Sequence, residues 1–228
     1  MIILMRMAHV IAVGNLKGGT GKTTIAVNLA CALAATHRVC LIDADTQQAA
    51  TEWTSGGAAP LTARPLPVSP GPGHDNDAHL QSWAKRVISL RRASDILVVD
   101  LPPHFEHSVA ATLAIADMLV IPVTPGGVEI AATRRAKTVL DRARSSRRER
   151  PLDCVLVPNR VDRRTAAGKS LGHRLSDFGE AVGPSLRQRA AHMEAYSMGT
   201  WIGAAAPDSE AHNEVKALVK FMRQRLKL

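Results

Sequence analysis

An α/β architecture, with a mostly parallel sheet covered by helices on both faces, is what this 228-residue sequence predicts. Three observations carry the prediction. Short apolar runs alternate with helical stretches along the whole chain, and runs so uniformly apolar suit strands buried on both faces. Aromatic residues make up only 3% of the sequence, so the core must be built from Ala, Val, Leu and Ile, the residues such strands use. The side chains with chemistry to offer gather where the runs end, and that carboxyl edge is where open α/β sheets hold ligands.

The first run is His9 to Val13. A glycine-rich stretch follows it, then a helix through Ile25–Leu33. Arg38 to Ile42 is the second strand, ending in Asp43-Ala-Asp45. Residues 56–76 are rich in Gly, Pro and small residues and read as a surface loop with a short strand near Leu66. A helix over 78–93 leads to the strand Ser94–Val99, which ends at Asp100 and is stopped by Pro102 and Pro103. A helix over Ser108–Ile115, the strand Met118–Val123 and the helix Val128–Arg144 come next. The strand Leu152–Val157 closes on Pro158-Asn159-Arg160. Helices are expected at Gly168–Gly179 and 209–226, with a polar helix or turn near 187–197. Crossovers between parallel strands should be right-handed. Residues 1–228 read as one domain. Met5 and Met7 compete with Met1 as the start, which sets residues 1–8 apart.

Residues 17–24 read Lys-Gly-Gly-Thr-Gly-Lys-Thr-Thr. Strand, glycine loop and helix in that order are the context of a phosphate-binding loop. Gly18, Gly19 and Gly21 let the backbone bend and bring N–H groups against an anion. Thr20, Thr23 and Thr24 lie in the same string, and the helix start adds free N–H groups and a positive dipole end. Lys22 is expected to reach the β- and γ-phosphates of ATP, and Thr23 to hold Mg²⁺ through its hydroxyl. Leu16 stands where the general pattern has its first glycine. The longer string compensates: seven fixed residues align by chance in roughly one chain in a million of this length. Asp100, a carboxylate after four buried apolar residues, is placed to hold Mg²⁺; a turn-forming Asp before proline is the competing reading. Asp43 and Asp45 lie two apart at a strand end and so share one face; the competing role for each is to cap the next helix.

Lys17 is not required by an ordinary phosphate loop. With it, the string resembles the ParA/MinD family, whose deviant Walker A loop reads K-G-G-x-G-K-[ST]. The segment Asp-Ala-Asp-Thr-Gln is similar to that family's D-x-D-P-Q, with Thr46 in place of proline. Asp-Leu-Pro-Pro resembles its D-T-P-P. Ile121-Pro-Val-Thr-Pro125 and the spacing from Asp45 to Trp53 resemble its short plasmid-partition members. The resemblance covers residues 9–160 well and is loose beyond 165. It implies an ATP hydrolase in which two subunits sandwich two nucleotides and Lys17 reaches the partner's ATP. It also implies that Asp45 orients the attacking water, that Asp43 lies near the magnesium shell, and that Asn159 meets adenine. An Asn amide offers a donor and an acceptor to a base edge. A solvated Lys17 and a plain turn at Asn159 are the competing readings.

Composition narrows the partners. The net charge is +9, which favours an anionic surface. Arg134, Arg135, Lys137, Arg142, Arg144, Arg147, Arg148 and Arg150 crowd one stretch, with Asp141 and Glu149 as the acids there. Residues 215–228 hold five cations and no acid. On the last helix Lys216, Lys220, Arg223 and Lys227 recur at helical spacing opposite Val215, Leu218, Val219, Met222 and Leu226. Cys31, Cys40 and Cys154 form no C-x-x-C pair, which argues for reduced, packed thiols in a cytoplasmic protein. No apolar stretch is long enough to span a membrane, and Met1–Met7 is too short for a signal peptide.

The expected function is therefore a ParA-like ATPase. It dimerises on ATP, binds duplex DNA without sequence preference, is nucleoid-associated, and positions a plasmid, chromosome or other cargo with a DNA-binding adaptor or cargo protein that stimulates hydrolysis. Lys216, Lys220, Arg223 and Lys227 are the expected DNA contacts, with Arg147, Arg148 and Arg150 as a second patch. One alternative is a MinD-like ATPase at a membrane surface, since a basic amphipathic helix also binds anionic lipid. The other is a small-molecule enzyme on the same fold. Its iron–sulfur form fails because Cys31 and Cys154 do not stand in loops suited to a shared cluster.

Overall fold

The computed structural model describes residues 8–67, 76–103, 107–147 and 151–228. Seven strands make one sheet in the order β3-β2-β4-β1-β5-β6-β7, and every pairing within it is parallel. The strands are β1 (His9–Val13), β2 (Val39–Asp43), β3 (Arg64–Pro65), β4 (Ile96–Asp100), β5 (Met118–Val123), β6 (Asp153–Pro158) and β7 (Ala181–Val182). The helices are α1 (Lys22–Ala34), α2 (Ala49–Thr54), α3 (Asn76–Ala93), α4 (His107–Ile115), α5 (Gly127–Ser145), α6 (Ala166–Ser176), α7 (Ala191–Ser197), α8 (Ile202–Ala205) and α9 (Glu210–Leu226).

Strand alternation divides the core into two layers. Val10, Ala12, Leu97, Val99, Leu119 and Ile121 face one way, against Trp83 and Val87 of α3, Leu113 of α4, Leu140 of α5 and Leu171 of α6. Ile11, Val13, Val98, Met118 and Val120 face the other way, against Ile25 and Leu29 of α1, Trp53 of α2, Ile202 of α8 and Val215, Leu218 and Met222 of α9. Both faces of each central strand are thus covered, which is why β5 is apolar throughout and β4 is apolar up to its last residue, Asp100. Each fully buried aliphatic side chain contributes about 1.5–3 kcal/mol.

β1 lies at the centre, between β4 and β5. The chain leaves β1 for β2 and β3 on one side, returns to β4, then crosses to β5 on the other. Strand order reverses beside β1, and the crevice at such a reversal is where α/β sheets take ligands. Two short helices, α2 and α8, and the two-residue strand β7 are absent from the sequence-based reading. The strand expected near Leu66 lies at Arg64–Pro65.

Candidate nucleotide site

Loop 14–21 leaves β1 and turns into α1. Gly19 (φ 74°) and Gly21 (φ 88°) adopt left-handed backbone, which costs a residue with a Cβ roughly 1–2 kcal/mol. Gly21 has a second constraint: a Cβ there would lie 2.2 Å from Nδ2 of Asn159. That nitrogen donates to the Thr20 carbonyl at 2.7 Å. The Asn15 side chain donates to the Pro122 carbonyl at 2.6 Å. The loop is therefore fastened from β5 and β6, not only by its own turn. Leu16 packs against the core layer under α3–α6, which explains an apolar residue where the general pattern carries glycine.

Lys22 is buried, and its Nζ lies 3.3 Å from the Lys17 carbonyl oxygen. Burial lowers its pKa, while Asp100 and Asp45 act against that. Asp100 ends β4 at 1% exposure. Burial pushes its pKa up to about 7; a hydrogen bond from Thr23 opposes this, Asp43 and Asp45 add to it, and Lys22 opposes it. Its Oδ1 is buried with no hydrogen-bond partner. A buried, unpartnered carboxylate oxygen beside a threonine hydroxyl needs a cation to offset its desolvation. Among the described residues no group of three or more His, Cys, Asp or Glu could hold a metal. The Thr23 hydroxyl and the unpartnered Asp100 oxygen fit Mg²⁺, which takes one or two protein ligands and completes its shell with phosphate and water.

Asp43, expected near the magnesium shell, acts on the charge of Asp100 and is also tied to the start of α2. Its Oδ2 accepts from the Thr51 amide at 2.8 Å and the Thr51 hydroxyl at 3.0 Å, and its Oδ1 accepts from the Asp45 amide at 3.2 Å. The side chain is fully buried and ties the turn to the start of α2, the capping role that competed with metal binding. Asp45 is partly exposed, and its Oδ1 accepts from the Gln47 amide at 3.0 Å. This Asx turn shapes the segment without the proline that Thr46 replaces. Gln48 follows in left-handed backbone at φ 52°.

Asn159, expected at a base edge, stands just past β6 against the phosphate loop. Its amide nitrogen is engaged by Thr20, and the residue is 6% exposed. Thr20 is buried as well, its hydroxyl turned toward the Lys17 carbonyl at 3.4 Å. An open cavity of about 520 Å³ lies beside the loop, lined by Lys17, Gly18, Gly19, Thr124, Pro125 and Glu129 among others. Lys17 pairs there with Glu129 in the first turn of α5. Glu129 was missed in the sequence because the partners stand 112 positions apart.

The basic segments divide. Arg147, expected in the second DNA patch, donates to the Leu113 and Ala116 carbonyls at 2.7 and 2.6 Å, closing the end of α4. Arg148 and Arg150 lie outside the described residues, as do Met1–Met7. On α9, Lys216 and Lys220 are exposed and Arg223 is half-buried. Lys227 sits just past the helix, in left-handed backbone. Arg225 is paired with Asp153 at 2.7 Å.

The family model described as the CobQ/CobB/MinD/ParA nucleotide binding domain matches residues 11–200. The chain belongs to this family. It is an ATPase of the ParA/MinD type. Among curated relatives it is similar to maintenance of carboxysome distribution protein A from Gloeobacter kilaueensis. The two are 33% identical over 209 residues, covering 89% of each chain. The protein of the same name from Halothiobacillus neapolitanus is 31% identical over 190 residues, covering 82% of this chain and 83% of the relative. The ATP complex of a Cyanothece McdA variant superposes with a TM-score of 0.76 over 97% of each chain at 16% identity, a likeness of fold.

Proposed function

We propose that this ATPase binds Mg-ATP at residues 17–24, pairs with a second copy of itself when ATP is bound, and in that form coats duplex DNA without sequence preference. Through an adaptor or cargo protein that stimulates hydrolysis, it positions a large cargo along the nucleoid. Gly18 to Thr24 would cradle the phosphates, with Lys22 facing the β- and γ-phosphates. Thr23 and Asp100 would hold Mg²⁺, which supplies charge for the phosphate oxygens when bound. Asp45, the partly exposed carboxylate at the edge, would orient the attacking water, and Lys17 would serve the partner's nucleotide. The relatives named for carboxysome distribution favour a large assembly as cargo over a plasmid specifically.

The observation that supports DNA over a membrane is the state of α9. Its apolar residues Val215, Leu218 and Met222 are buried in the core layer against α1. A helix can enter a lipid interface only by burying its apolar face there, and this face is already occupied. The outward face presents Lys216 and Lys220, and phosphate contact needs no more than such cations. Among the described residues no helix is long and apolar enough to cross a membrane. Fluorescence anisotropy on two unrelated duplexes, with and without ATP, tests the reading beside sedimentation with anionic liposomes. Equal ATP-dependent binding to both duplexes is expected. Tighter association with liposomes than with DNA would overturn it in favour of the membrane alternative.

A further inference from the structure

Lys17 is held within its own subunit. Its Nζ forms an ion pair with Oε1 of Glu129 across the mouth of the cavity, with side-chain exposures of 37% and 15%. Lys17 holds the Glu129 carboxyl below its usual range. The surroundings are fitted to the contact. Glu129 lies in the first turn of α5, where the helix dipole favours a carboxylate. Its side chain reaches back over Gly126, where a Cβ would stand 2.0 Å from Glu129 Oε2. Any larger residue at 126 would displace the carboxylate. Gly18 and Gly19, which flank the pair, are exposed and carry no side chain that could cover it.

We propose that Glu129 is a latch that holds Lys17 in its own subunit and competes with the partner's nucleotide for it. This rests on the ATP-dependent pairing proposed above. One ammonium cannot neutralise Glu129 and a phosphate on the opposite subunit at once. Pairing of two subunits must therefore break two such contacts, one per chain, and leave two carboxylates without their cation. Glu129 sets a threshold: it opposes association at low ATP occupancy and recaptures Lys17 once the subunits part. Exchanging it for the neutral isostere, Glu129→Gln, removes the competing charge and keeps the side-chain volume.

Two measurements test the latch. Limited acetylation of nucleotide-free protein, read by mass spectrometry, reports whether Lys17 Nζ is held. Lys17 should label faster in Glu129→Gln than in the parent, and equal rates would overturn the contact. Sedimentation equilibrium with Mg-ATP, in an Asp45→Ala background to suppress turnover, reports association. Partly exposed ion pairs contribute up to about 1 kcal/mol each, so the protein concentration for half-maximal pairing should fall up to about fivefold per contact. An unchanged or higher concentration in Glu129→Gln would overturn the latch and make Glu129 an aid to pairing. The parent serves as its own control: if it shows no ATP-driven association with Glu129 intact, the pairing reading falls, and the latch with it.

Discussion

The amide nitrogen of Asn159 stands 2.7 Å from the carbonyl oxygen of Thr20, in the space a Cβ on Gly21 would take. The end of β6 thereby fixes the last turn of the phosphate loop. Asn159→Ala would leave the Thr20 carbonyl unsatisfied, at a cost of about 1–3 kcal/mol, and should weaken Mg-ATP binding about tenfold or more. Gly21→Ala meets both the 88° φ and the Asn159 side chain and should weaken binding further. Isothermal calorimetry measures both, with circular dichroism to confirm that the fold persists.

Lys22→Ala removes the buried ammonium that faces Asp100 and Asp45. Loss of Mg-ATP binding by at least about a hundredfold is expected, since charge-assisted contacts to phosphate are among the strong ones. Calorimetric affinity equal to that of the parent would move phosphate binding elsewhere.

Asp45→Ala should keep nucleotide and lose turnover. Asp43 is buried and tied to Thr51 and the Asp45 amide, whereas Asp45 is partly exposed. The variant should accumulate as an ATP-bound pair of subunits, seen by light scattering, while phosphate release falls below detection. Asp43→Ala should instead loosen α2 and lower the thermal midpoint. If Asp43→Ala abolished turnover with an unchanged midpoint, the two roles would be exchanged.

Lys220→Glu combined with Arg223→Glu should weaken binding to every duplex alike. For every cation–phosphate pair removed, the log–log salt slope should shrink by about 0.9. Calorimetric ATP affinity should be unaffected, because both residues stand on α9, away from the sheet edge. A change confined to one DNA sequence would contradict nonspecific binding.

Burial pushes the Cys31 thiol up to about 12 and raises those of Cys40 and Cys154 as well. At pH 8 the folded protein should react with Ellman's reagent at least a hundredfold more slowly than the urea-unfolded chain, because the thiolate is the nucleophile. The sign of the linkage follows. A raised pKa in the folded state contributes stability that is complete below the unfolded value, near 9, and is lost as pH rises toward 12. Urea midpoints should therefore fall with alkalinity over that window.

The strands and the phosphate loop were legible in the sequence because each is a local signal. The run from Ile96 to Val99 reads as buried strand by composition, and Gly18 to Thr24 reads as a loop entering a helix. The partnerships were not legible. Asp43 and Asp45 share the same letters, yet one is buried under Thr51 and the other faces solvent. Asn159 carries a group fit for a base edge, but its partner is a backbone carbonyl 139 residues earlier. Glu129 gave no sign in its own neighbourhood. The short helix α8 and strand β7 exist because neighbours supply what their lengths cannot: the Ile202 amide donates to Asn28 Oδ1 at 2.8 Å, and β7 pairs with β6.

The central position of β1 has a consequence for how the molecule is made. The strand that delivers the glycine loop pairs with β4 on one side and β5 on the other. Leu101 donates to the Val13 carbonyl, and the Gly14 amide donates to the Val120 carbonyl. As the chain leaves the ribosome, every residue of the loop is synthesised well before either flanking strand. Long-range parallel pairing closes late, because the intervening chain must be ordered first. A nascent chain that ends before Met118 contains the complete glycine loop but has no strand on one side of it. A truncated product that ends there is therefore expected to carry the full motif without the β5 contact that the Gly14 amide makes in the finished sheet.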